Sequence, residues 1–330
     1  MTELTFGIYP GGITGTDARE EYPDGQGYLA TGPDDDPARI TAALNRLQGR
    51  PGRPFRVRAY LPFNDDTASG AHATATPADA RRYAVDGRRL ELVAQYQSAT
   101  GNIDGYCGFV RELVEQYGET TDLLQIAEEP TMTDMPILDG YFPGVREAIV
   151  RGVAAAKQRA HELGFAHLRV GFNFTPLYGP AASFLSEMAE LGGAAFIEQL
   201  DYAGLDFFPD VFHPVAAEDM PRAVEGLLRH HRSLLNEAGF GGIPLHIAEN
   251  GWPTGPDRTP QRQAEVVSTV VEQVAALADE LNITGYTHFA LRDADSANPD
   301  LFHQFGIMTD DYTPKPAFDT LCGLIEKFGR

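Results

Sequence analysis

Short apolar runs alternate with amphipathic stretches along the whole chain. The runs Leu4 to Tyr9, Phe55 to Leu61, Leu90 to Gln95, Leu123 to Ala127, Leu168 to Phe172, Tyr202 to Phe207, Leu245 to Ala248 and Tyr286 to Leu291 are brief and flanked by helical patterns. Such runs suit strands buried on both faces of a parallel sheet. Between them, apolar residues recur at the helical period over Ala38 to Leu47, Gly108 to Tyr117, Gly144 to Leu163, Ala181 to Leu191, Pro221 to Ala238, Pro260 to Leu281 and Pro316 to Lys327. Ile149, Val153, Ala156 and Ala160 form one such stripe. Leu163-Gly164-Phe165 and Gly239-Phe240-Gly241-Gly242 mark turns from a helix into the next strand. Eight runs predict one closed (β/α)8 barrel over residues 1–330, an α/β fold. Asn64 to Ala78, rich in small and polar residues, reads as a long loop over the barrel mouth in place of a helix.

Composition narrows the class. A chain of 330 residues with 43% apolar and 22% charged side chains is an ordinary globular protein, and barrels of this length are commonly single domains. The net charge of −21 argues against a nucleic-acid partner or an anionic membrane surface and fits neutral or cationic substrates. Cys107 and Cys322 are too few for a disulfide framework or a thiolate metal site. No basic segment followed by an apolar stretch opens the sequence, and no run is long enough to span a membrane. A cytoplasmic protein is therefore expected, or a secreted one if a leader was removed. A doubly wound nucleotide-binding fold is not expected, because Tyr9-Pro10-Gly11-Gly12-Ile13-Thr14-Gly15 lacks the G-x-G-x-x-G spacing.

The candidate chemistry sits in two strings. Ile126-Ala127-Glu128-Glu129-Pro130 and Ile247-Ala248-Glu249-Asn250-Gly251-Trp252-Pro253 each put a glutamate at the end of an apolar run, followed by turn formers. Residues leaving the carboxyl ends of barrel strands face the active-site mouth. Two carboxyls there suit acid/base and nucleophilic work on a glycosidic bond. Tyr60, Gln95, Asn173, Asp206, His288, Arg292 and Asp293 also fall near strand ends and are candidates to bind sugar hydroxyls. A metal-dependent barrel hydrolase is not expected, since no paired His-x-His stands at a strand end. A Schiff-base aldolase is not expected either, because Lys157, Lys315 and Lys327 all lie in or beside helices.

On these two glutamate strings the chain resembles the retaining glycosidases of clan A of the glycoside hydrolases, with no individual family assigned. The stretch Phe289 to Asp293, through Gly306-Ile307-Met308, to Lys315-Pro316-Ala317-Phe318 resembles the clan's usual ending. The resemblance implies Glu129 after the fourth strand as acid/base and Glu249 after the seventh as nucleophile. It implies that Arg58, or Arg56 in another register, holds the nucleophile ionised. It implies a neutral β-linked saccharide or glycoside as substrate and no metal or organic cofactor, proton transfer and carboxylate attack needing neither.

Three positions depart from the clan's pattern. Glu128 replaces the asparagine before the acid/base, and an ionised carboxylate cannot donate to a sugar hydroxyl as an amide does; it is expected to raise the pKa of Glu129 or to meet an amino group on the sugar. Phe207 and Phe208 stand where a tyrosine usually touches the nucleophile, and Phe289 where a tryptophan usually floors the sugar site. Trp252, the only tryptophan, is the candidate stacking platform. The long loop and the Thr131 to Phe142 insertion are expected to narrow the cleft. A catalytically silent glycan- or protein-binding barrel and a transglycosylase are the competing readings, and oligomeric state is not readable.

Overall fold

The computed structural model describes residues 3–15, 29–65 and 75–330. Eight parallel strands close into a barrel in chain order: β1 (Thr5–Ile8), β2 (Phe55–Phe63), β3 (Arg88–Tyr96), β4 (Thr121–Ile126), β5 (Arg169–Phe174), β6 (Tyr202–Asp206), β7 (Leu245–Asn250) and β8 (Ile283–His288). Seven helices surround it among the described residues: α1 (Pro37–Gln48), α2 (Ile103–Tyr117), α3 (Val145–Leu163), α4 (Phe184–Gln199), α5 (Met220–Glu237), α6 (Pro260–Leu277) and α7 (Pro316–Phe328). The (β/α)8 fold read from the patterning is the fold observed. Most of the Asn64 to Ala78 loop lies outside the described residues; from residue 75 the chain runs into a short 3-10 turn at Ala80–Tyr83 before β3.

Local chemistry sets the helix starts. Asp36 accepts from the backbone N–H groups of Ala38 and Arg39 ahead of α1, Asn102 accepts from Gly105 at α2, and Thr259 accepts from Arg262 at α6. Apolar faces such as Val266, Val267, Val270, Val271 and Val274 of α6 are buried against the barrel. None of the helices is long and apolar enough to cross a membrane.

Seven strands begin and end within two residues of their expected bounds, and one is displaced further. β8 is Ile283–His288, three residues earlier than the apolar run Tyr286 to Leu291 suggested. Gly285 masks its start, since glycine has little strand propensity. The barrel requires glycine there: a Cβ at 285 would lie 2.5 Å from Arg56 Nη1, 2.8 Å from the Thr5 carbonyl and 2.9 Å from His246 Nδ1. Arg292 and Asp293 consequently lie beyond the strand end, in the following loop.

Candidate active site

Strand alternation points every second side chain of β2 into the barrel, giving Arg56, Arg58 and Tyr60 in ascending order toward the mouth. Arg56 pairs with Asp122 at 2.7 Å, at the start of β4, so it belongs to the opposite end. Arg58 is the buried hub. Its Nη1 donates to Glu91 Oε1 at 2.7 Å and Gln125 Oε1 at 3.1 Å, and its Nη2 lies 3.2 Å from both Glu128 Oε2 and Glu249 Oε1. Its Nε donates to the Tyr60 hydroxyl at 2.8 Å, and that hydroxyl donates in turn to Glu249 Oε1. One oxygen of Glu249 thus meets both a hydrogen-bond donor, Tyr60, and a cation, Arg58.

Simple alternation would not deliver this arrangement. His246 and Glu249 are three residues apart on β7, yet both side chains are inside the barrel. The ladder with β8 shifts register between Ile247 and Asn250, and the ladder with β6 shifts between Leu205 and Asp206. Such irregularities re-aim side chains at barrel rims. After β4 the same result comes from the backbone, where Ala127 (φ 66°) and Glu129 (φ 43°) occupy the left-handed region on either side of Glu128. Glu128 therefore turns inward, accepting from Gln125 Nε2 at 2.6 Å, and Glu129 emerges half-buried at the mouth.

Supporting groups hold these carboxyls. The Glu129 backbone N–H donates to Asn173 Oδ1 at 3.0 Å, and Asn173 Nδ2 donates to Asp206 Oδ2. Asp139, from the Thr131 to Phe142 insertion, accepts on Oδ2 from the backbone of Tyr96 at 2.6 Å and of Glu128 at 2.7 Å. The insertion thus braces the turn that carries both glutamates. Beneath, Glu91 accepts from Thr287 at 2.6 Å and lies 3.1 Å from His246 Nε2.

The electrostatics follow from burial among like charges. Glu129 is raised to about 8, by desolvation first and then by the charge of Glu249, with Arg58 opposing. Burial, then Glu249, also holds Glu128 and Asp206 well above the usual carboxylate range against the pull of Arg58. Asp139 is pushed to about 8 by burial, although its two backbone hydrogen bonds pull the other way. Glu91 goes down to about 2, because His246 and Arg58 outweigh the cost of burying it. Burial also keeps Tyr60 a phenol and therefore a donor. Oxygens of Glu128, Asp206 and Glu249 lie within 4.8 Å of one another, the one group among the described residues with the spacing to hold a cation.

The structure brings Arg58, Tyr60, Glu128, Glu129, Asn173, Asp206 and Glu249 into one network. His288, at the end of β8, is buried beside it; its Nδ1 is 3.1 Å from the Tyr286 hydroxyl, its Nε2 has no hydrogen-bond partner among the described residues, and burial lowers it to about 3. Phe289 stacks on Tyr9 at 5.4 Å and meets Phe208 and Phe305 edge-on. Three expected sugar contacts are engaged elsewhere. Arg292 donates to Asp35 at 2.8 Å and to the Pro33 carbonyl at 2.5 Å, tying down the loop before α1. Asp293 pairs with Lys315 at 2.7 Å and accepts from Gly306 N at 2.9 Å. Trp252 is only 3% exposed, with Arg258 over one face and Nε1 donating to the Asp210 carbonyl, so it is built into the seventh loop.

Sequence reasoning passed over Glu91, Gln125, Asp139 and His246. Glu91 had a signal, a lone acid inside the apolar run of β3 and the ladder partner of Arg58. Asp139 had none, since nothing in its loop marks a residue that folds back under β4.

No protein-family model and no curated protein matches the chain. Solved structures do. A family 39 glycoside hydrolase from the gut symbiont Bacteroides cellulosilyticus WH2 superposes with a TM-score of 0.62 at 14% identity, over 98% of this chain and 63% of its own. The chain therefore spans less than two thirds of that protein. CJP38, a β-1,3-glucanase and allergen of Cryptomeria japonica pollen, gives 0.62 at 14% identity, over 94% of this chain and 97% of its own. An active-site mutant of Rhizomucor miehei β-1,3-glucanosyltransferase gives 0.56 at 14% identity, over 95% and 96%. The (β/α)8 barrel is the fold that these structures share with the chain. At such identities the likeness is one of fold, so the chemistry has to be argued from the site itself.

Proposed function

We propose that the protein is a retaining glycoside hydrolase acting on a β-linked carbohydrate, with Glu249 as nucleophile and Glu129 as acid and then base. The observation that carries this reading is the division of labour between the two carboxyls. Glu249 accepts a hydrogen bond from Tyr60 and forms an ion pair with Arg58 on Oε1, whereas Glu129 is held protonated up to about pH 8 by burial and by Glu249 itself. Two carboxyls with opposed environments are what a paired acid and nucleophile require.

In the first step a Glu249 oxygen bonds to the anomeric carbon, the bond from that carbon to the leaving oxygen breaks, and Glu129 gives its proton to that oxygen. In the second, Glu129 takes a proton from water, the water oxygen bonds to the anomeric carbon, and the ester bond to Glu249 breaks. No metal or organic cofactor enters this sequence. A sugar hydroxyl in place of water would give transglycosylation with the same residues.

The test is intact-protein mass after incubation with activated 2-fluoro and 5-fluoro glycosides, followed by peptide mapping. A sugar-sized adduct on Glu249 is expected. An adduct on another residue overturns the assignment of Glu249 as nucleophile, and no adduct on folded protein across the panel overturns the enzyme reading in favour of a silent binding barrel.

A further inference from the structure

Among the described residues, the carboxyl groups at the mouth outnumber the cations beside them. Glu128, Asp206 and Glu249 present oxygens within 4.8 Å of one another, and Arg58, which contacts two of them, also serves Glu91. Asp206, 1% exposed, has no ion-pair partner among the described residues: Asn173 satisfies Oδ2, and Oδ1 is buried with no donor among them. A buried acceptor left unmade is costly, and a ligand that supplies the donor recovers that cost.

Geometry says which part of a substrate arrives there. An anomeric carbon seated on Glu249 has two ring neighbours, the ring oxygen and C2, and only C2 carries a substituent. That substituent is the one within reach of both Glu249 and its neighbours Glu128 and Asp206. Resting on the retaining reading above, we propose that the substrate carries a free amino group at C2, bound as an ammonium ion by Glu128 and Asp206. An ammonium group has a positive charge, three donors and no acceptor, which matches three surrounding carboxyls; a hydroxyl offers one donor. A hard divalent ion fits less well. It needs six or more oxygens, and the Arg58 guanidinium stands 3.2 Å from two of the three carboxyls.

The experiment compares matched nitrophenyl β-glycosides bearing 2-amino, 2-hydroxy or 2-acetamido groups, in gluco, galacto and manno configurations, on wild-type protein and on Glu128→Asn. In wild type the 2-amino glycoside of the accepted configuration should exceed its 2-hydroxy counterpart in kcat/KM by roughly a hundredfold. Glu128→Asn, with its melting temperature checked, should reverse that order. Equal or faster cleavage of the 2-hydroxy or 2-acetamido sugar by wild type overturns this inference and leaves the roles of Glu129 and Glu249 standing. Cleavage of none of them, together with no adduct on Glu249, defeats the retaining reading itself and this inference with it. A rise in melting temperature with calcium or magnesium that Glu128→Asn abolishes assigns the carboxyls to a metal instead and overturns the inference.

Discussion

The hydroxyl of Tyr60, carried by the second strand, donates to Oε1 of Glu249 at the end of the seventh, while accepting from Arg58 Nε at 2.8 Å. The sixth strand carries its one tyrosine, Tyr202, at its start and ends at the mouth in Asp206 followed by two phenylalanines. In a closed barrel every strand points side chains at one axis, so the donor can come from any strand whose register puts it at the right height. Tyr60→Phe removes one hydrogen bond to a charged group and keeps the ring. It should lower kcat/KM by about 10- to 100-fold, the equivalent of roughly 1.5–3 kcal/mol. Steady-state kinetics with an unchanged melting curve would check this.

Glu129→Ala should slow substrates with poor leaving groups far more than activated aryl glycosides, because only the former need a proton on departure. Added azide should restore turnover of an activated substrate and release a glycosyl azide with the substrate's anomeric configuration. Chromatography and proton NMR of the product identify it, and an inverted azide would reassign the residue.

The pH profile should have a basic limb set by Glu129. As general acid it must hold a proton, and it is raised to about 8. Activity measured as kcat/KM should therefore fall as pH rises through about 8, and Glu129→Ala should flatten that limb for an activated substrate.

Stability should run against pH over part of the same range. Glu129 and Asp139 lie near 8 in the folded protein against ordinary values of 4.5 and 3.8. The unfolded chain gives up these protons first, so their contribution is full below about pH 4 and is lost as pH climbs to about 8. Glu91 and Asp122, both lowered to about 2, act in the opposite sense and lose their contribution as pH falls below their ordinary values. A thermal scan should give a maximum near the ordinary carboxylate range and a decline toward pH 8, and Asp139→Asn should make that decline shallower.

Arg292→Ala should act on stability. Its guanidinium, buried against Asp35, the Pro33 carbonyl and the Asp293 carbonyl, fastens the loop after β1 to the loop after β8. A loss of roughly 3 kcal/mol in urea unfolding is expected, with KM little changed. A large rise in KM at unaltered stability would return the residue to sugar binding.

The alternation of buried apolar runs with amphipathic stretches was sufficient to read the barrel, because period and length are local properties that each segment carries alone. The two glutamate strings were legible for a similar reason. An acid that ends a buried run and precedes turn formers has few places to be except the mouth of the barrel. What each neighbouring side chain does could not be read in that way. Tyr60 reaches Glu249, and Arg292 and Asp293 turn away to Asp35 and Lys315, while Asp139 folds back beneath Glu128. Those outcomes depend on strand register, on the shifts at the ends of β6 and β7, and on the left-handed residues around Glu128. One residue of register reverses the face a side chain occupies, so only the closed tertiary structure decides which polar groups meet.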